Sequence, residues 1–144
     1  MTAIIRKTRP AERSEIDQMI KHILLSTDGS ALTDDAAVVA ISLAKQLGAR
    51  ITGICVTPPY AQPPEDPVNA LQDVEALARD EGVEFQSDME TGQPWEAILK
   101  AAMRLKPDLI ALPAHGGETP ASVVIDGDTT RVVVNTRIPV LLCR

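Results

Sequence analysis

The chain has 144 residues, a net charge of −6, 44% hydrophobic and 24% charged residues, and only Tyr60, Phe85 and Trp95 as aromatics. A single domain of this length buries a core without disulfide or metal staples, and here that core must be built from Ile, Leu, Val and Ala. The acidic balance argues against nucleic-acid or anionic-membrane partners, and no apolar run approaches the roughly 20 residues of a membrane span or forms a signal peptide, so a cytoplasmic protein is expected.

Residues 1–20 read as an N-terminal extension. Ile4-Ile5 is followed by the basic, extended Arg6-Lys7-Thr8-Arg9-Pro10, and Ile16, Met19 and Ile20 then recur at helical spacing. The pattern predicts a short helix capping the domain or a frayed arm, with an arm that reaches a partner subunit as the sharper reading. Residues 21–144 form the domain proper. His22–Thr27 is the first strand, and Asp28-Gly29-Ser30 is its exit turn. A helix follows with Ala36, Val39, Ala40, Leu43 and Leu47 on one face, opened by a Ser30 or Thr33 hydroxyl cap and closed by Gly48 in a left-handed conformation. Ile51–Val56 is the second strand, and strand–helix–strand order implies a parallel sheet with right-handed crossovers.

Five prolines make Thr57–Pro67 a stiff surface loop. Val68, Leu71, Val74 and Ala78 mark a helix ending at Gly82. Val83–Glu90 alternates, with Val83, Phe85 and Met89 on one side and Glu84, Gln86, Asp88 and Glu90 on the other, as suits an edge strand. Pro94 sits in the first turn of the next helix, whose Ile98, Ala101, Ala102 and Leu105 face inward. Leu109–Leu112, introduced by Pro107-Asp108, is a short apolar run of the kind buried on both faces of a parallel sheet. It breaks at Pro113 and empties into Ala114-His115-Gly116-Gly117. Open α/β sheets bind ligands beyond the carboxyl ends of their strands, so the loop Pro113–Asp128 is the candidate site. Thr129–Asn135 is a short helix and Val140–Cys143 the last strand. Cys55 and Cys143 both lie in apolar strand runs and are expected to be reduced core residues.

These segments resemble the universal stress protein family from about Lys21 to Arg144. The resemblance is carried by Lys21 to Ser30, Gly82-Val83-Glu84, Thr91 to Ile98, Pro107 to Ile110, Ala114-His115-Gly116 and Ile138 to Leu142. It implies a doubly wound, open five-stranded parallel sheet in the order 3-2-1-4-5, with helices on both faces, and a homodimer. Some members bind ATP or AMP through the motif G-x-x-G-x9-G-[ST], in which glycines let backbone N–H groups approach phosphate and a hydroxyl adds a donor. Here Pro113 stands at the first glycine, Gly116 at the second, Asp126 at the third and Gly127 at the hydroxyl position. Pro113 removes a donor. Asp126 places a carboxylate near the phosphate, a repulsion of about 3 kcal/mol at roughly 5 Å and an effective dielectric of about 20. Sliding Gly127 onto the third glycine instead leaves Asp128 where the hydroxyl belongs. The adenosine end is better preserved: Asp28 matches the family's acid after the first strand, and Val56 the position whose backbone meets adenine. Asp28 also suits a plain turn and Val56 a plain core strand.

Neither His22 nor His115 has a Ser, Cys or carboxylate partner at catalytic spacing, and no zinc spacing is present. Asp28, Asp126 and Asp128 could converge on a divalent cation, but a solvated acidic loop is the favoured reading and no metal is expected. The expectation is a non-enzymatic stress-response and regulatory protein without a cofactor, acting by dimerisation and contact with a partner protein. Its ATP binding is weak or lost. The alternatives are an ATP- or AMP-binding regulator or slow ATPase that uses magnesium, and a small-ligand sensor. Candidate ligand-binding residues are Asp28, Val56, Ala114, His115, Gly116, Gly117, Asp126 and Gly127. Val140–Cys143, short and apolar at a sheet edge, would pair with its two-fold mate and bury Ile138, Val140 and Leu142.

Overall fold

The computed structural model describes residues 20–27, 31–57, 67–116, 123–124 and 127–143. In chain order the elements are β1 (His22–Thr27), α1 (Ala31–Leu47), β2 (Arg50–Thr57), α2 (Pro67–Asp80), β3 (Phe85–Thr91) and α3 (Pro94–Leu105). They continue with β4 (Leu109–Pro113), β5 (His115–Gly116), β6 (Val123–Val124), α4 (Gly127–Asn135) and β7 (Val140–Cys143). The main sheet is parallel and runs β3-β2-β1-β4-β7, the expected 3-2-1-4-5 order of its five strands. The extension was expected over residues 1–20, of which 1–19 lie outside the described residues.

The central strands are buried on both faces, which is why their sequences are nearly unbroken apolar runs. Ile23, Leu24 and Leu25 of β1 and Ile110 and Ala111 of β4 have no exposed surface. Ile23, Leu25, Leu109 and Ala111 pack beneath α1 and α2, whereas Leu24, Ile54, Ile110 and Leu112 pack beneath α3 and α4. The buried stripe of α1 is Ala36, Ala37, Ala40, Ile41 and Ala44, with Val39, Leu43 and Leu47 only partly covered. Of the face read from periodicity, Ala36 and Ala40 are fully buried, Val39, Leu43 and Leu47 pack at its margin, and Ala37, Ile41 and Ala44 complete the buried stripe.

A carboxylate ties the two central strands at their starts. Asp108 Oδ2 accepts the Lys21 N–H at 2.9 Å and the His22 N–H at 3.1 Å, while the Asp108 N–H donates to the His22 carbonyl at 2.8 Å. Helix ends follow local backbone chemistry. Gly48 closes α1 at φ +65, and Pro94 opens α3. Lys106 ends α3 in the left-handed region at φ 49, a turn that no glycine announces in the sequence.

β3 is an edge strand, as its alternation suggests, but it starts at Phe85 and its apolar face differs from expectation. Met89, read as inward, is 51% exposed, on the strand that is outermost among the described residues. The acidic face is not simply solvated: one Arg104 guanidinium on α3 bridges Asp88 and Glu90, the latter at 2.8 Å. Phe85 lies across Gly53 of β2, where an added Cβ would stand 2.5 Å from the ring's Cζ. Gly53→Ala is therefore expected to cost about 1–3 kcal/mol through overpacking. Adding Phe85→Leu should recover part of that loss, a non-additivity measurable by urea denaturation of the two single variants and the double.

Candidate functional site

The site is created by a divergence within the sheet. β1 and β4 pair only over Ile23–Leu25 and Leu109–Ala111. Beyond that point Ser26 and Thr27 stay with Ile54 and Cys55 of β2, while Leu112 and Pro113 stay with Leu142 and Cys143 of β7. The two halves of the sheet separate at the carboxyl ends of β1 and β4, between the strands where the winding order reverses. That is where open α/β sheets hold ligands.

Several predicted residues sit at this end. Val56 is buried and lies one residue beyond the β1–β2 ladder, paired with Glu90 on its β3 side. Ala114 is buried, and its N–H donates to the Cys143 carbonyl at 2.7 Å. His115 and Gly116 form β5, paired antiparallel with Val124 and Val123 of β6. The segment read as a plain loop from Pro113 to Asp128 thus contains a strand end and a hairpin pair. Pro113 itself belongs to β4, opposite Cys143, so the first signature position falls inside the sheet. The helix read as Thr129–Asn135 begins two residues earlier, at Gly127. Gly127 and Asp128 are consequently first-turn helix residues. Asp28, Gly117 and Asp126 lie outside the described residues, as does the side chain of His115.

The electrostatics at the start of α4 are set by Asp128. A helix N-terminus carries partial positive charge and unpaired N–H groups, which is what a phosphate would use. Asp128 places a carboxylate in that first turn. Beside it, Arg131 lies 5.4 Å above the centroid of Trp95 at the first turn of α3. This cation–π pair joins α3 to α4 on the flank of the crevice. Sequence reading did not assign it a role, although a solitary tryptophan in a chain this poor in aromatics was a signal. Among the described residues no three His, Cys, Asp or Glu side chains are grouped to hold a metal, and two members of the Asp28, Asp126, Asp128 set lie outside them. Cys55 and Cys143 are buried and form no disulfide, and burial pushes the Cys143 thiol up to about 11, so it stays protonated at neutral pH.

An open doubly wound sheet whose winding order reverses between β1 and β4 defines the molecule as a parallel α/β domain. Comparison with known proteins narrows the class. The profile described as the universal stress protein family matches residues 19–144, and the chain belongs to that family. A universal stress protein of Thermus aquaticus is 32% identical over 137 residues, spanning 88% of this chain and 100% of that one. A universal stress protein structure from Burkholderia pseudomallei has 23% identity and a TM-score of 0.71, covering 86% of this chain and 96% of its own. Another, solved in complex with cAMP, has 16% identity and a TM-score of 0.67, covering 86% and 97%.

His22 lies at the opposite end of the sheet, at the start of β1, and does not join the crevice. Its side chain is buried; Nε2 lies 2.7 Å from Thr52 Oγ1, and Nδ1 has no protein partner. Burial, followed by the nearby Arg50 charge, holds it below the usual histidine range, with Asp108 opposing. Protonation would bury a charge and leave an N–H without an acceptor. The unfolded chain therefore takes up a proton at about pH 6.5 that the native state refuses. Stability contributed by neutral His22 is complete above that pH and declines as pH falls from there toward the lower folded value. His22→Gln should flatten this decline between about pH 6.5 and 5. The measurement is the denaturation midpoint of both proteins across that range, and identical slopes would contradict it.

Proposed function

We propose that this domain is a non-enzymatic stress-response module that works by pairing with a second copy and contacting a partner protein, with ATP affinity weak or lost. The observation that carries the reading is the β7 edge. Among the described residues Val140–Cys143 is bonded to β4 on one side only, and Ile138, Val140 and Leu142 are each half-buried on the α3–α4 face. Antiparallel addition of a second β7 would satisfy both edges and cover those side chains. Light scattering at micromolar concentration should give twice the 15.4 kDa chain mass. Val140→Lys should return it to one chain mass, with circular dichroism confirming retained fold. A monomer mass for the unaltered protein would sink the reading.

Weak phosphate binding is supported by Pro113 within β4 and by the acids around the start of α4. The second reading, an adenine nucleotide regulator, is favoured by the parted strands beside Val56 and Ala114 and by the relative that holds cAMP. Titration calorimetry with ATP and adenosine, each with and without magnesium, separates the two. A serine side chain fits at Gly127, since nothing lies within 4 Å of its added Cβ. Asp126→Gly with Gly127→Ser should then raise ATP affinity at least about tenfold more than adenosine affinity, after screening is allowed for. Equal small changes for both ligands would place the defect outside the phosphate loop. Tight magnesium-dependent ATP binding by the unaltered chain would establish the second reading.

A further inference from the structure

The two helical faces of the domain carry opposite charge. Asp35, Asp73, Glu75, Asp80 and Glu81 are exposed on the α1–α2 side. On α3, α4 and the turns that follow them the exposed charges are mostly cations: Lys100, Arg104, Lys106, Arg131 and Arg137, against Glu96 and the half-covered Asp128. In a chain of net charge −6 this is a local reversal. Arg104 is engaged by Asp88 and Glu90, and Arg131 stands over Trp95. Lys100, Lys106 and Arg137 have no carboxylate partner among the described residues. The negative end of the α3 dipole accounts for Arg104 and Lys106, but not for Lys100 in mid-helix.

Apolar surface opens beside these charges. Trp95, Leu99 and Met103 recur every four residues, a stripe that drifts about 40° around α3 with each step. The contact of Trp95 with Arg131 sets the start of the stripe on the side facing α4. Trp95 and Leu99 are half-buried against the core, whereas Met103, farther along the helix, is 81% exposed. On α4, Val134 lies one turn beyond Arg131 and is 74% exposed. Both helices run from the carboxyl to the amino ends of the strands, so Met103 and Val134 lie toward the end where Lys106 and Arg137 stand. A single exposed aliphatic is ordinary. Two of them rising from a partly covered seam, with unpaired cations around them, have the layout of an interface, apolar at the centre and charged at the rim.

We propose that the α3–α4 face is the docking site for an acidic amphipathic helix of a partner protein. The apolar ridge of that helix lies on Leu99, Met103 and Val134, and its flanking carboxylates meet Lys100, Lys106 and Arg137. This rests on the partner-contact part of the reading above and is independent of β7 pairing. The test titrates the full chain into a fluorescein-labelled synthetic helix with leucines at i, i+3, i+4 and i+7 and glutamates on both flanks, read by anisotropy. Two controls are the same helix with lysine for glutamate and a scrambled sequence of the glutamate helix. The glutamate helix should bind at least about tenfold more tightly than either control, and more weakly as salt is raised. Lys100→Glu with Lys106→Glu should weaken it at least about tenfold, and Met103→Ser alone should weaken it several-fold; all three positions are exposed, so circular dichroism should show an unchanged fold. No binding of the glutamate helix, equal binding of a control, or unchanged affinity in the variants would overturn the proposal. Light scattering reads pairing separately: a monomer that binds the helix leaves this site standing while β7 pairing fails, and a dimer that ignores it does the reverse.

Discussion

The carboxylate of Asp108 sets the relation between the two strands on which everything else is built. It accepts N–H groups from Lys21 and His22 while its own amide returns a bond to the His22 carbonyl, so β1 and β4 start in a defined register. Hydrogen bonds to an ionised acceptor are about twice as strong as neutral ones, which makes this a firm starting point for a ladder. From there the strands run together for three residue pairs and then part. The crevice is thus a consequence of where pairing begins and which outer strand each central strand prefers afterwards. Ser26 and Thr27 follow β2, and Leu112 and Pro113 follow β7.

Around this core the two faces are built differently. Under α1, alanines let the helix approach the sheet closely, with Ala36, Ala37, Ala40 and Ala44 essentially buried. On the other face, α3 covers β2 and β3 with Ala97, Ile98, Ala101 and Ala102, and α4 is a nine-residue helix whose buried residues are Thr129 and Val132. So short a helix leaves the β7 side of that face thinly covered, and Ile138, Val140 and Leu142 remain half-buried. Deep burial of β1 and β4 and shallow burial of β7 are two results of one layering.

Most of the architecture was legible because its physics is local. Continuous apolar runs marked β1 and β4, Gly48 marked the end of α1, Pro94 the start of α3, and Val140–Cys143 was read with its observed bounds. What sequence missed depended on tertiary context. The left-handed Lys106 has no glycine to betray it, and Met89 looks inward in a two-residue alternation until its strand proves outermost. The candidate site was legible as a place but not as a shape. Val56 and Ala114 lie buried at the carboxyl end of the sheet, whereas Pro113, Gly127 and Asp128 were assigned to a loop that is partly strand and partly helix. Two-residue pairings such as His115 with Val124 carry no periodicity by which to be seen.

The bridge from Arg104 to Asp88 and Glu90 bears on how large an assembly the sheet permits. An open sheet has two edges, and unlimited polymers require that both accept another strand. Along β3 the carboxylates of Asp88 and Glu90 share a single arginine, so two such edges brought together would place like charges side by side. The opposite edge is short and apolar. The two margins of the sheet thus differ in chemistry, one carrying carboxylates and the other short and apolar.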